Sequence, residues 1–183
     1  MPNGSDPVSS VPEVWLRGPL PGIPPMLMPV AHSLLQVREE IGAAVAPLSG
    51  DELWVRPGNA ASVGFHLRHL AGSLDRLLTY ARGEQLDDQQ CEALAREDAA
   101  GSTAEDATVL IHAVEAAIDQ ALEQVRATPV EMLVEHRQVG RQSLPSTVLG
   151  LLFHAAEHGQ RHAGQIVTTA KIVRGTKAGA NPG

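Results

Sequence analysis

A chain of 183 residues is long enough to bury a substantial core as one domain without disulfides or a structural metal. Its 14 basic and 21 acidic residues give a formal charge of -7, and the basic ones are scattered, which argues against a nucleic-acid surface built from clustered Lys and Arg. The single cysteine, Cys91, cannot close an internal disulfide, and its acidic surroundings disfavour a thiolate, so it reads as an inert thiol in a reducing compartment.

The first thirty residues lack both a cationic start and a continuous apolar run, so no signal peptide is expected. The longest apolar run, from Val148 to Phe153, is interrupted by Gly150 and falls far short of the roughly 20 residues that span a bilayer. These features predict a cytoplasmic, soluble protein without membrane partners.

Residues 1–25 carry seven of the thirteen prolines, a composition that predicts an extended, partly disordered tail. Trp15 and Leu16 are its apolar exceptions and are expected to dock it on the domain or on a partner subunit. From Met26 to Leu48 the apolar residues Met28, Ala31, Leu34, Leu35, Ile41, Val45 and Leu48 recur at helical spacing, and Pro47 with Ser49-Gly50 ends this first helix. Residues 51–59 read as a linker that tucks Leu53 and Trp54 beneath it. A second helix, capped by Asn59 or Ser62 and stopped by Gly83, carries the stripe Val63, Leu67, Leu70, Leu74, Leu77 and Ala81.

Residues 86–98 are rich in Asp, Gln and Glu and allow at most a short connecting helix. Ser102-Thr103-Ala104-Glu105 matches a capping box, which predicts the start of a third helix with the stripe Leu110, Val114, Ala117, Ile118, Ala121 and Val125. Pro129 breaks it, and residues 130–145 read as a long loop compatible with a short hairpin flanking Gly140. Ser143 or Ser146 can open a fourth helix that runs to about Val173, before Arg174-Gly175 and a flexible tail over 175–183. Its apolar positions, including Leu151, Leu152, Phe153, Ala163, Ile166 and Ala170, cover over half its circumference, as befits a helix in the middle of a bundle. Four long patterns with short connections predict an all-α four-helix bundle over residues 26–174, preceded by the Pro/Gly-rich extension.

His158 and His162 are four residues apart on the fourth helix, so they project from one face about a turn from each other. Two imidazoles so placed can converge on one divalent ion, and a third protein ligand would leave a position open to water or substrate. On the second helix His66 lies about 60° and His69 about 120° from the centre of the apolar stripe, so periodicity favours His66 as the more buried. His154 points toward water, and His112 and His136 lie off the core stripe or in the loop. Glu157, beside a histidine yet about 100° away from it on the helix, reads as an exposed carboxylate or a partner to a histidine. Asp75 is expected to pair with Arg76 or another surface charge, and Gln165 to hydrogen-bond between helices.

His69-Leu70-Ala71-Gly72-Ser73, then Leu77-Leu78-x-Tyr80 with Gly83-Glu84, then Leu149 to Gln165 with His158-x-x-x-His162 and Gly164-Gln165, together resemble the DinB/YfiT-like superfamily of metal-dependent proteins. The resemblance spans roughly residues 28–173 and implies a four-helix bundle, commonly dimeric. It also implies that His69, His158 and His162 are the ligands of a divalent ion, zinc or nickel. At the position of His66 the family pattern has an apolar residue, and His66 is left to line the pocket or to substitute. By the same resemblance the activity is that of a thiol-dependent S-transferase, using a low-molecular-weight thiol, or of a hydrolase acting on a small molecule. The alternative is a non-catalytic metal- or ligand-binding stress-response protein that keeps the same site.

Overall fold

The computed structural model describes residues 11–97 and 107–179. Four long helices carry the fold: α1 (Met28–Val45), α3 (Val63–Ala81), α5 (Ala107–Ala127) and α6 (Val148–Gly179). Two short ones, α2 (Gly50–Leu53) and α4 (Asp88–Arg96), lie in the connections. Around the bundle α1 packs on α6, α6 on α3, α3 on α5 and α5 on α1. The core runs through all four and includes Leu34, Ile41, Leu67, Leu70, Leu74, Ile118, Leu152 and Ile166. Each such side chain, taken fully from water, contributes about 1.5–3 kcal/mol, so the shared core and not helix propensity holds the four together.

Polar contacts fix the helices against one another at their edges. Gln160 Nε2 donates to Ser33 O across α6 and α1 at 3.0 Å, and Gln124 Nε2 to Leu78 O across α5 and α3 at 3.0 Å. Arg38 pairs with Asp119 between α1 and α5.

The helix boundaries follow local chemistry. Ser62 caps α3 by accepting from Phe65 N at 3.2 Å, and Gly83, at φ +84°, ends it in the left-handed region that suits glycine. Gln90 closes a capping box with Asp87 at the start of α4. The expected hairpin flanks Gly140, with β1 (His136–Val139) antiparallel to β2 (Leu144–Thr147).

Several expectations change. Trp15 and Leu16, 61% and 58% exposed, do not dock the N-terminal segment on this chain's own domain; Val14, at 3%, does, with Val14 N donating to Gln36 Oε1 and Arg17 paired with Glu39. A one-residue shift in a short helical turn suffices to exchange the buried and exposed faces. Residues 51–59 are no plain linker, because Ser49 and Glu52 form a capping box that nucleates α2. Neither Ser143 nor Ser146 caps α6; Thr147 does, its Oγ1 accepting from Gly150 N at 3.0 Å. Nor does α6 stop at Arg174-Gly175, since one glycine costs a long helix only about 1 kcal/mol and the helix continues to Gly179. Phe153 lies on the solvent side of α6, next to His154. The Ser102–Glu105 capping box lies outside the described residues, as do residues 1–10 and 180–183. No helix among the described residues is long and apolar enough to cross a membrane.

Candidate metal centre

Packing of α3 against α6 brings together histidines that are some ninety positions apart in sequence. On α6, the four-residue spacing sets the His158 and His162 rings 4.5 Å apart between centroids. From α3, His69 approaches both, at 5.2 Å from the His158 ring and 4.7 Å from the His162 ring. One potential ligand nitrogen from each of His69, His158 and His162 lies within 4.8 Å of the other two. Gly159 of α6 faces Val37 of α1 and Leu70 of α3 here; a Cβ would come within 3.3 Å of Val37 Cγ2, so the glycine lets α6 sit close to α1 beside the cluster.

His66 is buried, deeper than the half-buried His69, as the periodicity of α3 predicts. Its Nδ1 lies 3.0 Å from His162 Nδ1, so it joins the cluster through that ring. His69 Nε2 lies 3.0 Å from His158 Nε2, while His158 Nδ1 is buried with no hydrogen-bond partner. Phe65, one turn before His69, stacks on it with centroids 5.7 Å apart and planes 7° from parallel.

Charge at the site is set by burial. Burial, reinforced by the neighbouring histidines His69 and His154, pushes His158 down to about 4. His162, for the same reason and with His158 and His69 beside it, is pushed down to about 3. His66 is lowered too, by burial and then by His69. At neutral pH His158 and His162 therefore present lone pairs, the form that binds a metal.

The remaining candidates fall outside the cluster. His154 is exposed, with Nδ1 3.2 Å from Glu157 Oε2, and Glu157 is held mainly by Arg161, which keeps its carboxyl below the usual range. Glu157 is thus an outer-face carboxylate. His112 and His136 are exposed and remote in sequence from the cluster's elements. Asp75 does not pair with Arg76; it accepts from Gln90 Nε2 at 2.7 Å, because Arg76 turns to another carboxylate. Gln165 is exposed, and the interhelical hydrogen bond expected of it is made by Gln160. Cys91 is exposed on α4.

That other carboxylate is Glu97, just past the end of α4, which the sequence does not single out. It is only 7% exposed, with Oε2 2.7 Å from His69 Nδ1 and Oε1 2.6 Å from Arg76 Nη1. Burial pushes its carboxyl up, but the hydrogen bonds from His69 and Arg76 outweigh this and hold it below the usual range. In a stretch as acidic as residues 84–98, periodicity cannot distinguish a buried glutamate from exposed ones; only Gly72, unexplained on α3, hints that something must fit beside it.

A donor set of three imidazoles drawn together, two of them held neutral by burial and one with a buried nitrogen unpartnered, fits a divalent ion, which such nitrogens bind at about 2.0–2.1 Å. A protein of the same fold is known: a conserved protein of Enterococcus faecalis whose crystal structure superposes with a TM-score of 0.63 at 18% identity, over 81% of this chain and 97% of that one. No curated protein matches the sequence. The model of the DinB superfamily matches residues 33–166, a span that holds α3, the part of α6 up to Ile166 and every histidine of the cluster. This chain belongs to the DinB superfamily.

Proposed function

We propose that this protein is a metal-dependent enzyme acting on a small molecule, with His69, His158 and His162 holding zinc or nickel. The observation that carries the reading is the convergence of these three imidazoles from two helices, two of them held neutral by burial. Three protein ligands leave a coordination position open, the arrangement of catalytic rather than structural sites. When bound, such an ion supplies Lewis acidity, making a coordinated water or thiol far more acidic than in bulk. Imidazole donors do not choose between zinc and nickel.

The protein's own part is to orient and desolvate. Phe65 packs flat on His69, His66 contacts His162, and both His66 and His162 are buried from bulk water. Among the described residues no serine, cysteine or lysine is hydrogen-bonded to these histidines as a nucleophile would be, so the reactive group is one that the ion activates. On this reading the reaction is a thiol-dependent S-transfer, with a low-molecular-weight thiol as co-substrate, or a hydrolysis. The working state is a homodimer, as the family resemblance implies.

Elemental analysis of tag-free protein after matched loading with zinc and nickel tests the reading, with a His158→Ala, His162→Ala variant alongside. The expected result is near-stoichiometric metal in the parent and none in a variant that stays helical by circular dichroism. A parent that holds no metal under either loading removes the reading. Where metal binds, turnover of electrophilic small molecules with and without added thiol separates transferase from hydrolase. Tight metal binding without turnover would support the binding-protein alternative.

A further inference from the structure

Glu97 is a buried anion, and a buried anion is retained only with strong partners. Its two oxygens are divided: Oε1 accepts from Arg76 Nη1 at 2.6 Å and Oε2 lies 2.7 Å from His69 Nδ1. A carboxylate can only accept hydrogen bonds, so the proton in the second contact belongs to His69 Nδ1. In neutral imidazole the other nitrogen then carries the lone pair. That nitrogen, Nε2, is the one 3.0 Å from His158 Nε2, on the side of the cluster.

The backbone of α3 is shaped to admit this carboxylate. A Cβ built on Gly72 would lie 2.7 Å from Glu97 Oε1 and 2.8 Å from Arg76 Nη1. Gly72 thus occupies a mid-helix position, where glycine is disfavoured, and leaves the space in which the Glu97–Arg76 pair sits. Phe65 stacks on the same imidazole, so the ring plane is held by the aromatic contact and the rotation within it by the carboxylate.

We propose that Glu97, clamped by Arg76 in the space left by Gly72, is a positioning residue of the metal centre that fixes His69 as the Nδ1–H tautomer and aims its Nε2 at the ion. The proposal rests on the function proposed above for its consequence, metal affinity, but not for the tautomer itself. A carboxylate behind a ligating histidine both orients the ring and raises its basicity, and removing such a partner costs 10- to 100-fold in metal affinity.

Two measurements test it on the full chain. Long-range proton–nitrogen correlation spectra of the chelator-treated protein at neutral pH read the His69 tautomer without metal. The parent is expected to carry its proton on Nδ1, and Glu97→Gln, whose amide can also donate, to populate the Nε2–H form. Competition with a chromophoric chelator then reads zinc affinity, expected to fall by about 10- to 100-fold in Glu97→Gln and to fall by less in Gly72→Ala, where the Glu97–Arg76 pair is displaced and not removed. Because both variants disrupt one contact, the double variant is expected to bind no more weakly than the weaker single one. A parent His69 without a proton on Nδ1 overturns the proposal without recourse to any variant. So does an unchanged tautomer in folded Glu97→Gln, or undiminished zinc affinity in that variant. If the parent binds no zinc, the metal reading fails alone, and the tautomer measurement still decides the role of Glu97.

Discussion

Each imidazole in the α3–α6 seam would repel its neighbours if protonated, and burial adds to that cost, so the folded state keeps His158 and His162 neutral. Their folded pKa values, about 4 and about 3, lie below the 6.5 of an unfolded histidine. The unfolded chain therefore binds more protons between these values, and stability rises with pH across that window. Chelator-treated protein is expected to lose stability as the pH falls from about 7 to about 5, above the range in which carboxylates titrate. Urea titrations at the two pH values should show the drop, and a His162→Gln variant should show a shallower one; equal slopes would mean that His162 is not held neutral. Metal binding to the folded chain should weaken on acidification toward about pH 4, where protons begin to compete for the His158 nitrogens.

At the level of elements, glycines mark where helices must approach closely and where they need not. Gly64 opens α3 beneath the Trp54 ring, and a Cβ there would lie 2.7 Å from its six-membered ring atoms, with Arg68 stacked over the same indole at 5.1 Å. Gly64→Ala is expected to destabilise the protein by about 1–3 kcal/mol, the usual cost of overpacking. Gly164, by contrast, is exposed in the middle of α6 with nothing near its would-be Cβ. Gly164→Ala should stabilise by about 0.5–1 kcal/mol through helix propensity alone. Denaturant midpoints of the two variants should therefore move in opposite directions. A gain in Gly64→Ala would show that the Trp54 contact is loose.

For the whole molecule, the cluster couples the two halves of the bundle, since His69 comes from α3 and its companions from α6. An ion held there binds only the folded chain, so it stabilises by mass action: about 2.7 kcal/mol at a free concentration one hundred times Kd. Thermal unfolding should shift upward with zinc in the parent and not in the His158→Ala, His162→Ala variant. An equal shift in both would place the bound zinc elsewhere on the protein. Loss of core packing at the same seam should be felt more broadly. Leu70→Ala, at a fully buried position in the core, is expected to cost about 2–5 kcal/mol by denaturant unfolding.

Periodicity alone determined the four long helices, because an amphipathic stripe at 3.6-residue spacing is a local property of the chain. It also ranked His66 as more buried than His69, and the spacing of His158 and His162 put them on one face. What periodicity could not decide is which nitrogen of which ring meets which partner, since that depends on how α3 and α6 pack together. Glu97 was illegible for the same reason: its role rests on contacts with His69 and Arg76, 28 and 21 positions away, within a run of carboxylates indistinguishable by pattern. Likewise, which tail residue docks was decided by a single turn around Val14 and by Gln36 of α1, a choice that no local signal carries. Helices are written in neighbours three and four residues apart; a site assembled between helices is written in distances that only packing creates.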